Sequence, residues 1–527
     1  MAPIGLWLGV VALALLAAAA LIADRPRERM PAMVLALALA PVLIAADNWD
    51  TARFEEIRSS PALVIAVVAA VAASVGALAA LFTRLPAAFA LAALAMLPFR
   101  VPIEVGSQTA NLLVPLYLVL AAGVAAAAYR HYRSPEVESG PTETSPLSVW
   151  VRRLLALAIV LYALQAGYSE DFSRALEVMA FFLAPFALLF VLLSQQRWSP
   201  KLLRVVLAIA IVEGLVFALV GFGQLITREL FWNEKVIAGN EVHSWFRVNS
   251  LFWDPNILGR YLAVTLIGVA AALAWARRVE SALLAAGIAA VLLVALALTF
   301  SQSSLVALLA GLVVLTGLRW SVKWTAVAAV ALAFLAVIAV FAGASGTDFG
   351  SDSIEAETSG RAGLISGGID IAQDQPLLGE GSGGFEAEFR DRFGGGVGIS
   401  VVSHTEPVTV AAEQGAVGLL VYVVLISTAL LALFSRLRRL VPGFGAGASP
   451  SGIGLTAAAW PGAGGWTLGA ARAAMISAFV AMIVHSFAYA AFLTDPITWA
   501  LLAIGLALAG QVGSVPSPES ARPSSAT

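Results

Sequence analysis

The chain has 527 residues, of which 60% are hydrophobic and 12% charged, with a formal net charge of -2 and a mean hydropathy of +0.89. So little polar surface cannot close a water-soluble globule, so the bilayer is the solvent of this chain. There is no cysteine, which excludes disulfides, thiol catalysis, cysteine-ligated zinc and iron–sulfur clusters.

A membrane helix needs roughly 20 apolar residues to cross about 30 Å of hydrocarbon. By that criterion about fifteen spans are predicted. They begin near Ile4, Pro31, Ala62, Ala87, Leu112, Leu154, Ala175, Leu202, Ile257, Ala282, Leu305, Thr325, Val408, Ala473 and Ile497, and the fourth and eleventh are short. The opening MAPIGLWLGV lacks the basic region of a signal peptide and reads as the first span. Breaks between spans alternate in character. One set is basic (ADRPRERMP, FTRLP, AYRHYRSP, QQRWSPK, WARRVE, SRLRRL), and the other is acidic (DNWDTARFEE, GYSEDFSRALE, the 227–255 segment, LTDP). The positive-inside rule puts the basic set in the cytoplasm.

The expected fold is therefore an all-α polytopic membrane protein of about 12–15 transmembrane helices with a large extracytoplasmic loop containing short helices. Residues 1–153 hold N-terminal spans and a cytoplasmic linker, and 154–344 hold the central spans. Residues 345–408 form the loop; 409–511 form the C-terminal spans, interrupted by a cytoplasmic Gly/Pro-rich loop at 435–472. Residues 512–527 are a disordered tail by composition. No solenoid repeat and no basic, aromatic-rich stretch suited to nucleic acid is present.

Cations are few on the acidic side: Arg100, Arg174, Arg228, Lys235, Arg247, Arg260, Arg361, Arg390 and Arg392. An arginine fork grips phosphate through two parallel charged hydrogen bonds, although pairing with a nearby acid is the commoner role for a single arginine. Arg361 lies in TSGRAGLISGGIDIAQDQP, where Thr358 or Ser359 is expected to cap a helix running to about Gln373. Ile365, Ile369 and Ala372 would share its face with Arg361, the pattern of a helix lying on the membrane surface. The glycine-rich GEGSGGF that follows reads as a hinge or lid, and the acids around it as solvated surface. His404 stands at the outer boundary of a span, where it can act as a base near neutral pH. Glu413, inside that span, reads as a helix-to-helix hydrogen bond. Asn256, after Asp254-Pro255, reads as a helix cap, and His485 as a satisfied buried histidine. The acids show no two-histidine or EF-hand spacing, so neither a metal nor another cofactor is expected.

Four stretches together resemble the O-antigen ligase/O-antigen polymerase superfamily of bacterial envelope glycosyltransferases. RVNSLFWDPNILGRYLA is similar to its Arg–x–x–Thr/Ser–Phe–x–x–Pro–Asn segment, and SGRAGLISGGIDIAQDQPLLGEGSGGF to its Gly–Arg and Asp–x–Pro–Leu–x–Gly–x–Gly–x–x–Phe run. HTEPVTVAAEQGAVGLL resembles its His, then Glu–x–Gly–x–x–Gly motif, with His404, Glu413, Gly415 and Gly418 in place. AFVAMIVHSFAYAAFLTDPITWALL is similar to its closing pair of spans. Gln302 stands where the family often has an arginine taken to contact the donor diphosphate, and Thr405 follows His404 in place of the usual residue. The resemblance implies a GT-C-like fold and a metal-independent, inverting glycan transfer on the outer face of the bacterial cytoplasmic membrane. The donor would be a glycan on an isoprenoid (undecaprenyl-type) diphosphate, and the acceptor a hydroxyl on a glycan, lipid or protein. Arg361 and His404 would be catalytic. Arg247, Arg260, Arg361 and Gln302 would face the diphosphate, while Asn256, Glu413, Gly415 and Gly418 would support the site.

Two other classes fit the composition. A polytopic solute carrier would place its site at the midplane on broken helices and in repeated halves. A non-catalytic scaffold of envelope assembly would account for Gln302.

Overall fold

The computed structural model describes residues 3–105, 108–133, 145–242, 245–320, 351–394, 405–435 and 468–513. The span expected to begin near Thr325 lies outside the described residues. Twelve described helices are long and apolar enough to cross a membrane. The protein is a polytopic, nearly all-helical membrane protein.

The first half comprises α1 (Ile4–Ile22), α2 (Pro26–Asp47), the short α3 (Ala52–Ser59), α4 (Pro61–Arg84), α5 (Pro86–Ala95), α6 (Val114–Arg133) and α7 (Pro146–Gln165). The expected fourth span is α5, only 10 residues long. After it comes an element the sequence reading missed: a hairpin of β1 (Val101–Val105) and β2 (Gln108–Leu112), pairing Ile103 with Ala110. Its signal was short, the Val-x-Ile-x-Val alternation of 101–105. Next come α8 (Phe172–Val178) and α9 (Ala184–Ser194), joined by a π-helical turn at Met179–Leu183. Pro185 has no N–H to give the Phe181 carbonyl one turn earlier. The Tyr117 hydroxyl donates to that carbonyl instead, at 2.7 Å.

The second half holds α10 (Pro200–Thr227), α11 (Glu234–Val242), α12 (Pro255–Ala274), α13 (Val279–Leu298) and α14 (Gln302–Arg319). It ends with α15 (Ser351–Asp374), α16 (Phe385–Phe393), α17 (Glu406–Phe434), α18 (Leu468–Ser486) and α19 (Pro496–Gly513). Polar caps open several of them. Ser199 accepts from Leu202 N at 3.1 Å, and Ser301 from Ser304 N.

The cap of α12 is Asp254, not Asn256: its Oδ1 accepts from Asn256 N, and Pro255 occupies the first helical position. Proline there fixes the residue before it as the non-helical cap. Asp254→Ala is accordingly expected to cost about 1 kcal/mol of stability and Asn256→Ala much less. Thermal unfolding of the two variants in one detergent checks this.

Two ends of the bundle are distinct. At one, Arg152 pairs with Asp24, Arg130 bonds the Phe82 carbonyl and Arg319 the Ala274 carbonyl. The other, the loop end, gathers the β-hairpin, α11, α15, α16 and the 487–495 turn, as the contacts below show.

Helix α15 begins at Ser351, seven residues before the expected cap. Its protein-facing side is Gly367, Gly368 and Ile371, with Leu364 and Ala372 against the same cluster, while Ile369 is exposed. The glycines decide the rotation. A Cβ at Gly367 would collide with Phe389, and one at Gly368 would come 3.0 Å from Phe385.

Candidate functional site

Three structures meet at the loop end. The first is a seam between the 376–384 loop and α17. Gly415 breaks that helix with φ 63° and ψ -163°. Such a break strands the carbonyls before it and the amides after it, and each buried one must find a partner. The Ala412 carbonyl takes Glu380 N, the Glu413 carbonyl takes Gly381 N, both at 2.9 Å, and the Gln414 carbonyl takes the Gln165 amide at 3.2 Å. In return Ala416 N donates to the Pro376 carbonyl at 2.8 Å and Val417 N to that of Leu377 at 3.2 Å. Gln165 and Tyr168 of the 146–168 span both bond the Leu378 carbonyl. The Glu413 carboxylate accepts from Phe385 N, capping α16. The Gly-rich run therefore docks as a fixed seam rather than swinging as a hinge or lid. Gly379 and Gly381 take positive φ there, because a Cβ at either would strike the backbone of Glu413 or Ser169.

The acids beside this seam are not free surface. Arg392 holds Asp374, Glu388 and, at 3.0 Å, Glu380, and Arg390 holds Glu386. Burial and the Glu388 charge raise the Glu380 carboxyl above its ordinary value, against the pull of Arg392.

The second structure is a buried charge cluster. Arg260, 3% exposed, pairs with Asp495, 1% exposed, and Arg100 reaches the same Asp495 oxygen at 3.7 Å. Asp495 Oδ1 also accepts from Ile497 N at 2.7 Å, so it caps α19 while its other oxygen serves two guanidiniums. The Tyr489 ring lies under Arg260, and its hydroxyl donates to Asp254 at 3.4 Å. Burial pushes the Arg100 guanidinium below its ordinary value, with Asp495 opposing that shift and Arg260 adding to it. Burial and the Asp254 charge push the Tyr489 hydroxyl up.

Arg247 sits apart from this cluster. It is half-buried, and its Nε donates to the Thr299 carbonyl at 3.1 Å, beside exposed Gln302 at the start of α14. Phe300, between them, takes φ 50°, a strained setting for a bulky residue. Ser301 Oγ bonds both Ser303 and Ser304, which lie 3.3 and 3.2 Å from His485 Nε2.

The third structure is a cavity of about 200 Å³ along α17, closed by α7, α8, α16, the 490–494 turn and Trp499. Glu406 and Glu413 both line it, with Arg174 among the lining residues. Glu406 Oε2 accepts from Phe492 N at 3.2 Å. Among the described residues no three His, Asp or Glu side chains converge on a metal-sized site.

The expected site residues are thus distributed. Arg260 pairs with Asp495, Asn256 lies between Asp254 and Ser304, Arg247 and Gln302 lie at the α14 entrance, Glu413 and Gly415 belong to the seam, and Gly418 lines the cavity along α17. His404 lies outside the described residues; Arg361 falls on the α15 backbone. Sequence reasoning missed Asp495, Glu406 and Tyr162. A signal for Asp495 existed: Asp254-Pro255 and Asp495-Pro496 are the same cap-then-proline signature, each opening a span.

No curated protein matches the chain. Residues 287–423, about a quarter of the chain, match the family model described as O-antigen ligase, and that stretch holds the α14 entrance, α15, α16 and the Gly415 seam. That quarter of the chain is similar to the O-antigen ligase family, whose description names a glycan-transferring enzyme.

Proposed function

We propose that the protein transfers or polymerises glycan from an isoprenoid-diphosphate carrier at its loop end, on the extracytoplasmic face of the bacterial inner membrane. The observation that carries this reading is the family match across the segment that the Gly415 seam ties together. Sidedness is supported by charge. Arg25, Arg27, Arg84, Arg130, Arg152, Arg277 and Arg278 lie at the end opposite the loops, the cytoplasmic end by the positive-inside rule.

The acceptor oxygen forms a bond to the anomeric carbon as the carbon–oxygen bond to the diphosphate breaks. The electron pair leaves on the diphosphate, the anomeric centre inverts, and the acceptor proton passes to His404. Arginine forks balance the leaving charge, so the reaction needs no metal. Of the two cations outside α15, Arg247 is better suited to the diphosphate than Arg260. Arg260 is 3% exposed and paired with Asp495, whereas Arg247 is half-buried, with its Nε on the Thr299 carbonyl three residues before Gln302. Arg247 thereby offers charge where Gln302 has none.

Arg361→Ala is expected to lower transfer by about 10²-fold or more while leaving the protein inserted. The check is lipid-linked glycan accumulation in cells carrying the variant as sole copy, beside turnover of purified protein. Full transfer in both Arg361→Ala and His404→Ala would sink the reading.

A further inference from the structure

The cavity beside α17 carries a band of polar groups on an otherwise apolar lining. Glu406 and Glu413 are seven residues apart, two turns on one face of a helix. Backbone amides hold each in place, those of Phe492 and Leu493 for Glu406 and those of Gly383 and Phe385 for Glu413, and each oxygen has a second lone pair to offer the cavity. The Tyr162 side chain also lines the cavity; the residue is 8% exposed, and among the described residues its hydroxyl has no hydrogen-bond partner. Thr409 and Gln414 add further oxygens. Among the described residues Arg174 is the one cation in the lining, and it is paired with Glu177 at 3.2 Å.

Such a wall mixes carboxyl acceptors with hydroxyl and amide groups that donate as well as accept. Its arginine is paired with an acid and two carboxyl groups face the same space, so it is not the seat of the diphosphate. It suits a neutral ligand that brings its own O–H groups. The rest of the lining, including Leu155, Val178 and Trp499, is apolar and suits the C–H faces of a ring. The volume is on the scale of one sugar ring, not of a polysaccharide.

We propose that this cavity binds a neutral sugar ring, the hydroxyl-bearing end of the acceptor, with Glu406 and Tyr162 as the groups that hydrogen-bond it. Naming the ligand as the acceptor rests on the transfer reading above; the sugar-binding cavity itself does not. Tyr162 lies on α7, outside the family-matched stretch, so this half of the chain contributes to specificity.

The test uses full-length protein in lipid nanodiscs and saturation-transfer NMR with a panel of methyl glycosides as probes. At least one glycoside is expected to bind. Glu406→Gln keeps an oxygen for Phe492 N but turns an acceptor in the cavity into a donor, and Tyr162→Phe removes the hydroxyl. Each is expected to weaken binding about tenfold, and Ala158→Phe, which fills the cavity from α7, to abolish it. The proposal is overturned if no glycoside binds, if all three variants bind as the native protein does, or if inorganic pyrophosphate displaces the glycoside. Turnover of lipid-linked donor separates the two readings. Variant-sensitive glycoside binding without transfer keeps the cavity as a sugar site and removes the transferase. Transfer whose acceptor KM is unmoved by Glu406→Gln keeps the transferase and removes the cavity.

Discussion

Asp495→Asn is expected to destabilise the protein by about 3–5 kcal/mol, the range for breaking a buried ion pair from one side. Asparagine keeps the oxygen that accepts from Ile497 N, so the α19 cap survives and the charge alone is removed. What remains is Arg260 at 3% exposure beside Arg100 at 13%, two guanidiniums without the carboxylate they share. Leaving a charge buried and unpaired is costlier than the pair is favourable, because the desolvation already incurred is no longer offset. Asp254 offers little relief, since its Oδ1 is committed to Asn256 N and its Oδ2 to Tyr489. The contrast is Glu386→Gln. Its pair with Arg390 is an i,i+4 helix pair with side chains 33% and 21% exposed, and such pairs contribute only about 0.3–0.5 kcal/mol. Arg100→Gln in the Asp495→Asn background should recover part of the loss, a non-additivity expected of groups sharing one partner. Denaturant unfolding in one detergent of the native protein, Asp495→Asn, Arg100→Gln, their double variant and Glu386→Gln measures all of this. A loss below 1 kcal/mol for Asp495→Asn would mean that water reaches the cluster.

The bilayer-spanning fold was legible because its signal is additive. Each span is a run of apolar residues, and the alternation of basic and acidic breaks orders the runs without any tertiary knowledge. Long-range geometry was not legible. Arg100, Arg260 and Asp495 are far apart in the chain, and nothing local to any of them announces the other two. The packed side of α15 was hidden for a different reason. Apolar periodicity draws attention to Ile365 and Ile369, while the side against α16 is set by glycines, which let Phe385 and Phe389 approach. The GEGSGGF run was misread because glycine signals conformational freedom equally well for a hinge and for a close backbone seam. What separates the two is whether stranded backbone groups across the way need partners. Those groups appear only once α17 is broken at Gly415. The motif glycines and Glu413 were visible as a pattern, and their shared purpose is the seam.

Gly415→Ala should therefore do more than disturb one helix. At φ 63° and ψ -163° the residue occupies a region that is essentially glycine's alone, and forcing another residue there costs about 1–3 kcal/mol in strain. The added Cβ would also meet the Leu377 carbonyl group and come 2.5 Å from Leu378 N, which is backbone and cannot rotate aside. If α17 straightens to escape, carbonyls 412–414 and amides 416 and 417 return to intrahelical partners. The 376–381 backbone groups that face α17 then lose those partners. Either route undocks the loop and takes the cap from Glu413 to Phe385 with it. The expected result is faster amide exchange across 376–385, loss of transfer, and an overall destabilisation of about 3 kcal/mol or more from strain and lost seam bonds together. Gly76→Ala is the control. It lies inside α4 with nothing within 4 Å of its would-be Cβ, so it should stabilise the protein slightly, by about 0.5–1 kcal/mol. Native-like exchange across 376–385 in Gly415→Ala would show that the seam holds without the break. The loop would then have to be positioned by its ties to Gln165 and Tyr168 instead.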